Sequence, residues 1–125
     1  LTEPELHLGR ETSGLDILVP DFAGWRRERV PALPRTAAVE IVPDWVCEIL
    51  SPSSVQHDRV RKPARYLHHG VAWMWLVDPA ARVVEAFEAR DGRWTLDAGA
   101  AGNEVEARIP PFDAVPIDLT TWWAP

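Results

Sequence analysis

The sequence predicts an α/β (α+β) fold, a mixed sheet with a central helix on one face followed by a β-meander. Three observations carry this expectation. "WVCEIL" and "VAWMWLVD" are short apolar runs of strand type, and the one long helical pattern, "SPSSVQHDRVRKPARYLHHG", lies between them. Beyond Gly70, "RVVEAFEA" and "RWTLDA" follow at hairpin spacing across the turn signals "PAA" and "RDG". Strands, one helix and then a run of strands is the order of a sheet that carries its helix on one side.

With 125 residues, nearly half of them apolar and seven of them tryptophan, the chain can bury one core, so residues 1–125 are expected to form a single domain. "ELHL" alternates like a short strand. "DILVPDFAGW" is a strand-type run interrupted by Pro20, which belongs at an edge or a strand end. "RRERVPALPRTAAVEIVP" contains three prolines and mixed charge, and reads as a long surface loop. In the helix, Ser53 or Ser54 is the expected N-cap and Gly70 the stop, while Pro63 should kink or break it. Asp78 before Pro79 is a turn residue, and Trp73 and Trp75 share a strand face as core or interface. The tail "VEARIPPFDAVPIDLTTWW" should add a strand and then a helical turn that tucks Trp122 or Trp123 against the body.

The net charge of −6 argues against coating nucleic acid by bulk electrostatics, but the charge is unevenly placed. Residues 22–65 hold eight bases and five acids, against five acids and one base before them and nine acids and four bases after them. The middle bases are Arg26, Arg27, Arg29, Arg35, Arg59, Arg61, Lys62 and Arg65. Cys47 is the only cysteine, which excludes an internal disulfide and argues against a thiolate zinc site. His7, His57, His68 and His69 lack metal-motif spacing. No apolar run is long enough to span a membrane, and the N-terminus lacks signal-peptide character, so the expected location is cytoplasmic.

One residue in "WVCEIL" does not suit a sheet interior. Glu48 would lose its hydration there unless a positive group met it. Asp21 ends the preceding strand-type run, so neighbouring strands could bring the two carboxylates together. At about 4 Å they would repel by roughly 4 kcal/mol at an effective dielectric near 20. Magnesium or manganese, which accept paired carboxylates with water and phosphate, would relieve this; so would an arginine partner or protonation of one acid. Lys62 lies on the following helix, four residues after Asp58 and four before Tyr66. It is either half of an exposed pair with Asp58 or a cation aimed over the carboxylates. Glu5 and His7 share a strand face and are a weaker candidate for the same neighbourhood.

"VPDFAGW", "PDWVCEILSPSS" and "HDRVRKPARYLHHGVAWMWLVDP", in that order and at these intervals, resemble the Uma-two family of restriction-endonuclease-like proteins in the PD-(D/E)xK nuclease superfamily. The resemblance covers essentially the whole chain. It implies a restriction-endonuclease-like sheet core, with Asp21, Glu48 and Lys62 as the catalytic set. The metal, Mg2+ or Mn2+, would be held by Asp21, Glu48 and the backbone carbonyl of Ile49. The superfamily pattern would put a lysine where this chain has Leu50, and Lys62 is expected to substitute for it. The family's N-terminal helical region is expected to be missing, because the chain starts inside the strand region without a Met.

The resulting expectation is a divalent-metal-dependent nuclease, most simply a DNA endonuclease, with Arg59, Arg61, Arg65, Arg26 and Arg27 gripping DNA phosphates. A homodimer is admitted as a further partner, and a membrane is not. The alternative is a catalytically inactive module of the same fold that binds nucleic acid or a protein, with Glu48 held by an arginine.

Overall fold

The computed structural model describes residues 1–11, 14–36, 38–51 and 56–123, with side chains described from residue 59 onward in the helix. The expected N-cap serines and the side chain of Asp58 lie outside the described residues.

Among the described residues, two mixed sheets and one α-helix make up the body. In the smaller sheet, β1 (Glu5–Leu8) runs between β2 (Asp16–Leu18), antiparallel to it, and β4 (Ala38–Val39), parallel to it. The larger sheet has the order β3 (Phe22–Gly24), β5 (Trp45–Ile49), β6 (Trp73–Asp78), β7 (Val83–Arg90) and β8 (Arg93–Ala101). β5 and β6 are parallel, which a tight turn cannot achieve; α1 (Gln56–His68) provides the crossover. The predicted sheet, central helix and meander are therefore present.

Several local features have clear chemical causes. Gly70, with φ +90°, ends α1: the Gly70 N–H donates to Leu67 O and the Val71 N–H to Tyr66 O, the paired bonds of a Schellman stop. The helix is continuous across Pro63, contrary to the expected break, and the Trp94 indole N–H donates to the Pro63 carbonyl at 2.8 Å. At "RDG", Asp91 and Gly92 both take positive φ while Arg90 pairs with Arg93, the two-residue turn whose twist suits a hairpin. Asp78 accepts the N–H groups of Ala80 and Ala81, as its turn reading requires.

The structure departs from the sequence reading in three further places. The run around Pro20 is not one interrupted strand: β2 joins the smaller sheet and β3 the larger, so the proline marks the passage between sheets. The proline-rich loop contains β4, whose Val39 is buried in the core. The tail forms only an isolated bridge between Ala107 and Ile117, then a 3-10 turn at Leu119–Thr121. Trp122 lies near Trp75 but stays exposed, and the Trp123 indole donates to Gly102 O at 3.2 Å, so Trp123 is the one tucked against the body.

Alternation along β5 sends Val46 and Glu48 to one face and Trp45, Cys47 and Ile49 to the other. Val46 joins Leu6, Leu8, Leu18, Tyr66 and Met74 in a core shared by the larger sheet, the smaller sheet and α1. Full burial of each such leucine contributes about 1.5–3 kcal/mol. Cys47 belongs to a second core with Trp75, Val84, Ala86, Ile109 and Leu119 on the opposite side. The sheet thus holds Glu48 in the layer beneath α1.

Candidate active site

Glu48 is the buried charged residue of the described core, with only 9% of its surface exposed. The antiparallel register of β3 on β5 pairs Phe22 with Cys47, and one step further along it sets Asp21 across from Glu48. The Asp21 side chain stays at this strand end because its Oδ2 accepts the Ile49 N–H at 2.7 Å. The pairing of carboxylates expected from the sequence is therefore present as a neighbour relation between two strands.

α1 supplies the partners. Lys62 and Tyr66 are four residues apart and project from one helix face. The Tyr66 hydroxyl donates to Glu48 Oε2 at 2.7 Å, and Lys62 Nζ lies 3.3 Å from the same oxygen. Lys62 also donates to the Val19 carbonyl at 3.0 Å, tying the helix to the segment between the two sheets. Glu48 is met by a lysine and a tyrosine, with no arginine among its described partners.

Burial is the main reason that the Glu48 carboxyl is pushed above the ordinary carboxylate range, and the Asp21 charge adds to it. The Tyr66 hydrogen bond and the Lys62 charge oppose that rise. The Tyr66 phenol is pushed up by burial and by the Glu48 charge, so it remains a protonated donor. Cys47, on the other face, is raised to about 12 by burial, which leaves it a thiol rather than a nucleophile at neutral pH.

The donor set fits a small divalent cation. Among the described residues, neither Asp21 Oδ1 nor Glu48 Oε1 accepts a hydrogen bond, while the other oxygen of each is engaged. One unengaged oxygen from each of two carboxylates suits magnesium, which keeps several waters and takes one or two carboxylates. No group of three or more His, Cys, Asp and Glu side chains converges among the described residues, and the described oxygens at the site are those of this pair and of the backbone. Ile49 lies at the exposed end of β5, beside both carboxylates.

The predicted DNA contacts divide into two groups. Arg65 grips Asp16 Oδ2, at 2.7 Å through Nε and 2.6 Å through Nη2, and His69 Nε2 sits 2.6 Å from the same oxygen. Arg61 reaches Asp16 Oδ1 at 3.8 Å. This knot pins α1 to β2, and it holds the Asp16 carboxyl below its usual range, chiefly through His69, with Arg65 adding to the effect. Arg59 donates to the Ser51 carbonyl at 3.2 Å. Arg26 and Arg27 are exposed, and the described hydrogen bonds of Arg26 are made by its backbone, whose N–H donates to Asp44 Oδ2 at 2.7 Å. Glu5 and His7 pair with each other at 2.7 Å on the outer side of β1.

The Asp16–His69 contact and the role of Tyr66 escaped the sequence reading. Asp16 and His69 are 53 residues apart, and nothing local in the sequence marks them as partners. Tyr66 had a legible signal in its spacing of four residues from Lys62.

Comparison with known proteins gives a family and a similar fold. The family model Uma2, described as "Putative restriction endonuclease", matches residues 5–120. Among solved structures, the crystal structure of "a putative nuclease belonging to DUF820" from Anabaena variabilis ATCC 29413 is similar, with a TM-score of 0.69 at 22% identity. That match covers 98% of this chain and 66% of the other. No curated protein matches.

Proposed function

The chain belongs to the Uma2 family of restriction-endonuclease-like proteins, and from that premise we propose that it hydrolyses phosphodiester bonds of DNA with the help of a divalent cation held by Asp21 and Glu48. The observation that carries the proposal is the convergence of Lys62 and Tyr66 on one oxygen of a buried Glu48 that faces Asp21 across two strands.

Asp21 and Glu48 would hold magnesium or manganese through Oδ1 and Oε1, with the Ile49 carbonyl as a further oxygen beside them. When bound, such a cation lowers the pKa of a water and offsets phosphate charge. The protein's own contribution is position and charge. The Ile49 N–H fixes the Asp21 carboxylate, and Tyr66 fixes that of Glu48. Lys62, anchored on Val19 O, brings a positive charge to the edge of the site, where it would stabilise negative charge developing on a phosphoryl oxygen. Exposed Arg26 and Arg27, with Arg59 and Arg61, would hold the DNA backbone.

A second reading, a non-catalytic module of the same fold, draws on the protein groups that meet Glu48, the Lys62 ammonium and the Tyr66 hydroxyl. Single-turnover cleavage of supercoiled plasmid separates the two. Nicking that requires magnesium or manganese and disappears in Glu48→Ala is expected. DNA retention without cleavage in either cation would favour the module.

A further inference from the structure

We infer that Tyr66 is a positioning residue of this site: its hydroxyl selects which oxygen of Glu48 is presented to the divalent cation. The inference rests on the metal-site reading above and adds a residue to it.

Tyr66 is fully buried, and its hydroxyl donates to Glu48 Oε2 at 2.7 Å. A buried hydroxyl that donates to a carboxylate makes a short, charge-assisted and directional bond. Lys62 approaches the same Oε2 at 3.3 Å, so both helix groups load one oxygen. Oε1, turned away from them, accepts nothing among the described residues.

Rotation about the last torsion of a glutamate is broad, and the two oxygens are otherwise equivalent. An isolated Glu48 would therefore sample orientations that offer either oxygen, or both, to Asp21. Tyr66 removes that freedom, because it is rigid, packed in the core, and held at the first residue of the Schellman stop through its own carbonyl. The groups facing Oε2 are Tyr66 and Lys62 from α1; the group facing the pair from the residue before β3 is Asp21. None of the three can replace another: lysine gives a charge without a fixed direction, and Asp21 repels.

A partner that orients a metal-binding carboxylate is generally worth 10–100-fold in metal affinity. Tyr66→Phe keeps the packed ring and removes only the oxygen. Titrated with Mn2+ alone, this variant should bind at least about tenfold more weakly than the wild-type chain. Manganese affinity equal to wild type would overturn the inference.

The chain contains a single tyrosine, so biosynthetic 3-fluorotyrosine labels Tyr66 alone and tests the point without any substitution. Its 19F resonance should shift saturably with Mg2+ and broaden with Mn2+, and both responses should vanish in Asp21→Ala. A cation that raises the melting temperature while leaving the 19F signal unmoved would overturn the role of Tyr66 and leave the metal reading standing. Absence of any cation-dependent change in melting or in 19F would overturn both together.

Discussion

The Asp21 carboxylate accepts the backbone N–H of Ile49 at 2.7 Å, so one of the two acids of the site also serves as a ladder partner for the strand that bears the other. On the proposed function Asp21 has two separable duties, one needing only an acceptor oxygen and the other a charge. Asp21→Asn can still accept the Ile49 N–H and should keep the wild-type urea midpoint, whereas Asp21→Ala leaves that exposed donor to water and should lose about 0.5–1.5 kcal/mol. Both should lose cation-dependent stabilisation. Equal urea midpoints for the two variants would contradict the structural duty.

Cation binding should raise stability by linkage, by about 2.7 kcal/mol at a hundredfold excess over the dissociation constant. Differential scanning calorimetry in millimolar Mg2+ or Mn2+ should show the rise for the wild type and none for Glu48→Ala. An unchanged wild-type melting temperature, or a full rise in the variant, would remove Glu48 from the site.

Two perturbed acids, Glu48 and Asp16, pull the pH dependence of folding in opposite directions. Glu48 is raised above its ordinary 4.5, so in chelator the folded state binds more protons than the unfolded chain, and stability should rise as pH falls through the folded value toward 4.5. Asp16 is lowered from 3.8, so its contribution is complete above 3.8 and is lost as pH falls through the folded value. Urea midpoints measured across this range should lose the first trend in Glu48→Gln and part of the acid loss in Asp16→Asn. Profiles that superimpose on the wild type would reject the corresponding assignment.

Lys62 should matter to the reaction more than to cation affinity. Lys62→Ala and Lys62→Met, the second keeping the apolar stem, should retain cation-induced stabilisation yet cleave plasmid on the order of a hundredfold more slowly. Wild-type single-turnover rates in either variant would make Lys62 merely a tether between Val19 and Glu48.

The arginines should sort by what already holds them. Arg65→Ala breaks the contact to Asp16 and should lower the melting temperature. The joint replacement of exposed Arg26 and Arg27 by alanine should leave melting unchanged and weaken DNA binding across unrelated sequences. It should also flatten the salt dependence by about one unit of slope for each phosphate no longer neutralised. Salt-insensitive DNA binding by the wild type would contradict the whole phosphate-gripping set.

Much of this architecture is legible in the sequence, because it rests on local signals. The apolar run of β5, the Gly70 stop and the "RDG" turn each specify their element within a few residues. The neighbourhood of Asp21 and Glu48 was legible too, since one strand-type run ends at the first and the next contains the second. What escaped depends on long-range placement. β4 is two residues long and is defined by pairing with β1, not by its own pattern. The transfer of the chain between sheets at Pro20 looks the same, in sequence, as an edge-strand proline. Arg65 read as a free cation until β2 brought Asp16 to it.

The parallel pairing of β5 with β6 also governs when the site can come into being. β6, β7 and β8 are joined by short turns, so their contacts close small loops, whereas β5 meets β6 only across the whole of α1, and β3 must then dock on β5. Contacts that close short loops form fastest, and non-local parallel pairings lag behind. The residues of the site precede the meander in the chain, yet they have no completed sheet to join until the meander exists. On the ribosome, Asp21, Glu48 and Lys62 emerge before residues 73–101 and must wait for them. A partly synthesised chain therefore carries both acids and the lysine before the strands that complete their sheet, and the proposed site can assemble only once residues 73–101 have emerged.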